Sequence, residues 1–142
     1  MFTENYDGFD LSPTNQEFVN LLEKMKLTEI VTFDEQNNKV LHTLSKGQQK
    51  RMALIYSLLE RKEVFIFDEW AAEQDPVFRR YFYTQIIPEL KAMGKTVIAV
   101  THDDAYFDCA ERVLKFNYGK IEEDTGDTLV LQPNGRYLLK NI

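Results

Sequence analysis

The chain has 142 residues, 44% apolar and 28% charged, enough for one core of ordinary domain size and too few for two. Its net charge of −6, from 17 basic and 23 acidic side chains, argues against a nucleic-acid surface. The single cysteine, Cys109, excludes an internal disulfide and fits a reducing compartment, and no apolar run is long enough to span a bilayer.

Residues 1–14 carry Gly8, Pro13 and several acids and read as loop. Met1-Phe2-Thr3-Glu4 leads into polar residues, so no signal peptide is expected. From Asn15 onward, Phe18, Leu21, Leu22 and Met25 recur at helical spacing with Glu23, Lys24 and Lys26 between them, which predicts a short amphipathic helix. Ile30-Val31-Thr32-Phe33 fits a short strand or an irregular segment, and Asp34 to Lys39 a polar loop. His42, alone in this polar region, reads as structural. Ser45 and Gln48 then have capping-box spacing, which predicts a helix from about Lys46 to about Leu59 with Met52, Ile55 and Leu59 on one face. A helix N-terminus with a serine hydroxyl and a glycine for close approach is either an anion-binding end or an ordinary capped helix.

Val64-Phe65-Ile66-Phe67 runs straight into Asp68-Glu69. The apolar run is too short for a helix core and predicts a strand buried on both faces, as at the centre of a parallel sheet. Both carboxylates then fall at the strand's carboxyl end, where open α/β sheets bind ligands. Either Asp68 holds a cation and Glu69 acts on water, or both cap the next turn in solvent. Asp75-Pro76 predicts the N-cap and first turn of another helix, with Phe78, Tyr81, Phe82, Ile86 and Leu90 on its apolar face. Pro88 predicts a kink or an early end, and Gly94 closes the element. Thr96 to Val100 is expected as a second buried strand, followed by Thr101-His102-Asp103-Asp104. The resulting βαβ unit puts both strand ends on one edge and makes Asp68, Glu69 and His102 neighbours by topology. Beyond it, residues 104–111 suggest a short helix, Val113 to Asn117 a third strand, Gly119 a turn and Lys120 to Glu122 an edge strand. Leu129 to Leu131 and Tyr137 to Leu139 would flank Asn134-Gly135 in a hairpin.

The order LSKGQ, helix, VFIFDE, loop with Asp75, then a strand ending before His102 resembles the C-terminal half of an ATP-binding cassette (ABC) domain, over roughly residues 2–123. The Asp68 to Pro76 loop, with Phe78-Arg79-Arg80 after it, is similar to the cyclic-peptide and siderophore-peptide exporter branch. The resemblance implies an α/β, partial P-loop NTPase fold with a parallel sheet, a βαβ unit and a small helical signature subdomain. Residues 1–62 would belong to that subdomain and 63–142 to the C-terminal part of the ATPase core. It implies that Asp68 holds Mg²⁺, that Glu69 polarises the attacking water and that His102 contacts the γ-phosphate. Ser45, Lys46, Gly47 and Gln48 would form the signature motif, binding ATP held by a second ABC subunit in a head-to-tail dimer, with Asp75 coupling the two sites. Lys46 stands where glycine is usual, and either adds positive charge near a phosphate or points to solvent.

The P-loop pattern, Gly, four residues, then Gly-Lys-Ser/Thr, does not occur. Gly94-Lys95-Thr96 is a decoy, since Glu89 holds the place of the first glycine and the segment runs from helix to strand. The chain is therefore expected to be a C-terminal part of a cassette domain that meets an exporter's transmembrane domain through the missing part, on the cytoplasmic side of the inner membrane. The chain itself would be soluble and would bind no nucleic acid. Two alternatives stand beside this exporter half-module: a non-catalytic module that pairs with an intact subunit, and a C-terminal segment of a chromosome-maintenance or DNA-repair ABC-type ATPase. Exposed sheet edges would favour self-association.

Overall fold

The computed structural model describes residues 11–34, 39–41, 43–125, 128–131 and 137–140, with only the backbone described for 39–41, 128–131 and 137–140. His42 and Asn134-Gly135 lie outside the described residues. The chain divides into two compact units, Met1–Thr101 and His102–Ile142.

The first unit begins with helix α1, Gln16–Lys24, capped by the Asn15 side chain, which accepts from the Glu17 and Phe18 amides. Phe18 and Leu22 are buried on one face, and Met25 and Leu27 continue that face into the following turn. Strands β1, Thr32–Asp34, and β2, Lys39–Leu41, pair antiparallel. Helix α2, Lys46–Leu59, starts in the predicted capping box: the Ser45 hydroxyl accepts from the Gln48 amide, and the Gln48 side chain accepts from the Ser45 amide. Its buried stripe holds Met52, Ile55, Tyr56 and Leu59, together with Gly47 and Arg51. Arg61, just past this helix, makes a bidentate pair with Glu17 of α1 at 2.7 and 3.0 Å.

Strand β3, Val64–Asp68, pairs parallel with β4, Thr96–Val100, in the register Val64↔Thr96 to Asp68↔Val100. Between them run a 3₁₀ turn at Trp70–Glu73, helix α3 at Pro76–Tyr81, a π turn at Phe82–Ile86 and helix α4 at Ile87–Ala92. This is the expected βαβ order. Pro88 neither ends the helix nor leaves it regular. It has no N–H for the Thr84 carbonyl and would press its ring on that group. The π turn containing Thr84 widens the helix there, and α4 continues to Ala92. Gly94 then reverses the chain at φ 77°.

The expectation of strands buried on both faces is corrected. Along β3, Phe65 and Phe67 are buried, whereas Val64 is 56% and Ile66 69% exposed. On the same face of β4, Ile98 is 50% and Val100 52% exposed. The helices cover one side of this two-stranded sheet, so β3 alternates with period 2 in place of the continuous burial that a double-layered sheet would require. On the covered side an aromatic cluster forms the core. Phe67 meets Phe82 edge-on at 5.0 Å, and Trp70 stacks on Phe82 at 4.3 Å and 24°. Phe65 and Phe78 extend the cluster.

The second unit contains a 3₁₀ turn at Asp104–Cys109 and an antiparallel pair, β5, Leu114–Asn117, with β6, Lys120–Asp124. Tyr118 and Gly119 join these strands at φ 45° and 77°, the left-handed pair of a tight hairpin turn. Arg112 holds Asp124 through two bonds of 2.9 and 2.7 Å beside this hairpin. β7, Thr128–Leu131, and β8, Tyr137–Lys140, also pair antiparallel.

Phe82 is 1% exposed and contacts Phe67, Trp70 and Tyr83. Truncation of a buried aromatic costs about 3–5 kcal/mol. Phe82→Ala is expected to lower unfolding stability by that amount in a urea titration followed by Trp70 fluorescence. A loss of less than about 1 kcal/mol would show that this cluster is not the core.

Candidate functional site

Asp68 ends β3, and Glu69 begins the turn that leaves it; both are exposed. The Glu69 amide still donates to the Val100 carbonyl at 2.9 Å, extending the parallel ladder by one bond. Its backbone then turns left-handed, φ 43° and ψ 34°, a conformation uncommon for a residue with a side chain. The Glu69 carbonyl accepts from the Ala72 amide at 3.2 Å and from the Lys50 ammonium at 3.3 Å. Lys50 also pairs with the Glu73 carboxylate at 3.4 Å. β4 ends near a second anchor: the Tyr83 hydroxyl donates to Thr101 Oγ1 at 2.8 Å. His102 follows Thr101 and opens the second unit, exposed, its carbonyl accepting from the Asp104 amide.

The N-terminal end of α2 lies against the segment that follows Glu69. A Cβ at Gly47 would stand 2.5 Å from the Glu73 carbonyl oxygen and 3.3 Å from Gln74 Oε1. The absence of a side chain at Gly47 is thus already required inside the chain, by backbone meeting backbone. The buried Gln74 donates from Nε2 to the Gly47 carbonyl at 3.0 Å and accepts from Arg51 Nε at 2.8 Å. Arg51 continues to Asp75 Oδ2 at 2.9 Å and the Met25 carbonyl at 3.5 Å, with its guanidinium 3.5 Å from the Phe78 ring centroid. Asp75 caps α3, its Oδ1 accepting from the Phe78 amide at 2.9 Å. That bond holds the Asp75 carboxyl below the ordinary aspartate value, and Arg51 adds to the effect while partial burial opposes it. Burial pushes the Arg51 guanidinium below its usual value, and Asp75 draws it back up.

The structure therefore brings Ser45, Lys46, Gly47 and Gln48 together with the Glu69–Asp75 segment in one compact unit. The Ser45 and Gln48 amides are engaged in the cap, and the Lys46 and Gly47 amides are orphan donors of the first turn, lacking an intrahelical acceptor. The Lys46 side chain extends from the exposed edge of this turn. Among the described residues no three His, Cys, Asp or Glu side chains converge as a metal site. Magnesium keeps several waters and takes one or two protein carboxylates beside phosphate oxygens, a requirement that Asp68 at a strand end can meet.

Lys50, Arg51 and Gln74 were not singled out from sequence. For Arg51 the signal was present. Gly47, Arg51, Ile55 and Leu59 recur at intervals of four along the buried stripe, so a cation there needs a polar partner inside. Gln74 carried no such mark, because its burial follows from how the 3₁₀ turn folds back on α2.

A family profile described as ABC transporter matches residues 2–72. The chain is 40% identical over 112 residues to the ATP-binding protein SyrD of Pseudomonas syringae pv. syringae, covering 79% of this chain and 20% of SyrD. It is 29% identical over 118 residues to the trimethylamine N-oxide transport system ATP-binding protein TmoW of Ruegeria pomeroyi, covering 82% of this chain and 35% of TmoW. A dimeric post-hydrolysis structure of the ATP-binding cassette MJ0796, bound to ADP and Pi, superposes with a TM-score of 0.58 at 22% identity, over 76% of this chain and 44% of the cassette. A second dimeric structure of that cassette gives 0.56 at 25% identity, over 80% and 48%. The chain thus spans less than half the length of these relatives.

Two measurements test this geometry. Gly47→Ala is expected to destabilise the chain by about 1–3 kcal/mol, since the clash is with a backbone carbonyl that cannot swing away; an unchanged urea midpoint would refute the close approach. The second is acid unfolding. A carboxyl whose value is depressed by folding contributes stability above its unfolded value, roughly 3.9, and loses it as the pH falls through the lower folded value. Asp75→Asn should therefore show less acid-dependent loss of stability than the parent chain below about pH 4. Parallel curves in that window would contradict the Phe78 and Arg51 bonds to Asp75.

Proposed function

The chain belongs to the ABC transporter family, and from that premise we propose that it is an ATP-binding half-module of an exporter for peptides or siderophore-like peptides. The observation that carries this reading is the pair Asp68-Glu69 at the carboxyl end of a parallel strand, with a capped signature-type helix end in the same unit. The α/β cassette fold shared with MJ0796 supports it. The peptide cargo rests on the Asp68 to Pro76 loop and the following Phe78-Arg79-Arg80, which resemble that exporter branch.

In this reading residues 1–62 belong to the signature subdomain and 63–142 to the ATPase core. Asp68 would hold Mg²⁺ through water, and the ion would supply positive charge to the phosphates. Glu69 polarises the attacking water and accepts its proton. His102 contacts the γ-phosphate. Ser45, Lys46, Gly47 and Gln48 present a hydroxyl, two orphan amides and a cation to ATP held by a second subunit, an arrangement supported by the dimeric cassettes that share the fold. Asp75 couples the two sites. Phosphoryl transfer depends chiefly on positioning and charge stabilisation, and these residue types supply both. The phosphate cradle comes from a P-loop-bearing segment outside this sequence. Among the described residues no helix is long and apolar enough to cross a membrane, so membrane-spanning segments would come from another part of the transporter. The module would act at the cytoplasmic face of the inner membrane.

A second reading, a non-catalytic module that modulates an intact subunit, is favoured by one observation: the open aliphatic face of Val64, Ile66, Ile98 and Val100. Apolar surface of that kind marks a place for another polypeptide. In the exporter reading, the rest of a cassette covers it.

The pure 142-residue chain is expected to show no Mg²⁺-dependent ATP turnover. Mixing it with a P-loop-bearing cassette subunit should produce turnover that Glu69→Gln lowers by about a hundredfold or more. Stimulation that survives Glu69→Gln would favour the modulating module. Turnover by the pure chain, abolished by Glu69→Gln, would overturn the half-module reading.

A further inference from the structure

We propose that Lys50 and Arg51, neighbours on α2, are positioning residues that clamp the Glu69–Asp75 segment at its two ends and so tie the water-activating carboxylate to the signature end of the same chain. The inference rests on the ATPase reading above and adds to it two residues that touch no reacting atom.

At the first end, the Lys50 ammonium reaches the Glu69 carbonyl at 3.3 Å and the Glu73 carboxylate at 3.4 Å. The Glu69 carbonyl is oriented by the left-handed turn at that residue, which a side chain disfavours. Such a conformation persists only where its surroundings over-determine it. Groups among the described residues that do so include the Val100 carbonyl on the Glu69 amide, the Ala72 amide on its carbonyl, and Lys50 on that same oxygen. The two backbone bonds come from the strand and from the turn itself. Lys50 is the contribution from α2.

At the second end, the Arg51 fork spends its donors on Gln74, Asp75 and the Met25 carbonyl and lies on the Phe78 ring. Gln74 returns a bond to the Gly47 carbonyl in the first turn of α2. A closed circuit results: Gly47, Gln74, Arg51, Asp75, then the Phe78 amide and ring. Gly47 itself lies against the Glu73 carbonyl, so the segment packs directly on the backbone of the helix. Any displacement of the signature end is therefore passed to Asp75 through Gln74 and Arg51, and to Glu69 through Lys50. In a head-to-tail dimer the signature end serves one nucleotide and Glu69 the other, so the clamp links the two.

The test uses Lys50→Met, Lys50→Arg, Arg51→Met and Arg51→Lys in the 142-residue chain, read by amide hydrogen exchange. Lys50→Met, on a part-exposed side chain, keeps the test open if the Arg51 variants fail to fold. It is expected to speed exchange at the Ala72 amide about fivefold or more while leaving β5 and β6 unchanged. Lys50→Arg should restore protection, whereas Arg51→Lys should not, because a single ammonium cannot replace the fork. With a P-loop-bearing subunit, Lys50→Met should lower kcat about tenfold with KM for ATP unchanged. Unchanged exchange at Ala72 in Lys50→Met would overturn the clamp. Faster exchange with unchanged kcat, in a mixture that Glu69→Gln inactivates, would overturn the positioning role. Turnover indifferent to Glu69→Gln would instead refute the ATPase reading, with the clamp still judged by exchange.

Discussion

Arg51 is a charge carried into the interior, and the first unit depends on how that charge is satisfied. A buried guanidinium without partners would be strongly destabilising. Here four groups converge on it: the carbonyl after α1, the side chains of Gln74 and Asp75, and the Phe78 ring of α3. Gln74, Asp75 and Phe78 reach Arg51 only because the chain turns sharply after β3. The left-handed backbone at Glu69 and the 3₁₀ turn behind it produce that reversal. The polar circuit and the aromatic cluster of Phe67, Trp70 and Phe82 lie on consecutive parts of the same segment, Trp70 belonging to the turn and Phe82 to the helix beyond it. Polar satisfaction and apolar packing thus select the same path.

The parts legible in the sequence are those specified by short-range chemistry. Both ends of α2 follow from the Ser45–Gln48 cap and the apolar spacing, and the start of α3 follows from Asp75-Pro76. The parallel pairing of β3 with β4 follows from their apolar content and the helix between them. The depth of burial does not. Val64 and Ile66 have the composition of a strand covered on both sides, but coverage is a property of what packs on a sheet, and residues 64–68 cannot encode it. The response to Pro88 was similarly hidden: the missing donor predicts a disturbance, while a π turn in place of a break depends on packing at Phe82, Tyr83 and Ile86.

At the candidate site, the position of Asp68 and Glu69 at a strand end and the Ser45–Gln48 cap were readable, because each is a local pattern with a local reason. Lys50 and Gln74 were not, because their roles arise from contacts between positions 19 and 27 residues apart. Gly47 was readable as a residue that something approaches closely. That the Glu73 carbonyl makes this approach is a tertiary fact.

The register of β3 on β4 has a kinetic consequence. Val64 pairs with Thr96, so the ladder closes a loop of 32 positions, whereas the Ser45–Gln48 cap closes over three. Loop closure opposes the first far more than the second. Helix α2 and its cap can therefore form while the chain is still short, and the carboxylate edge forms only after Thr96 to Val100 has been made. During synthesis the acidic pair waits on a strand that emerges later, and an interruption between Gly94 and Val100 leaves a capped helix with no ordered strand end beside it.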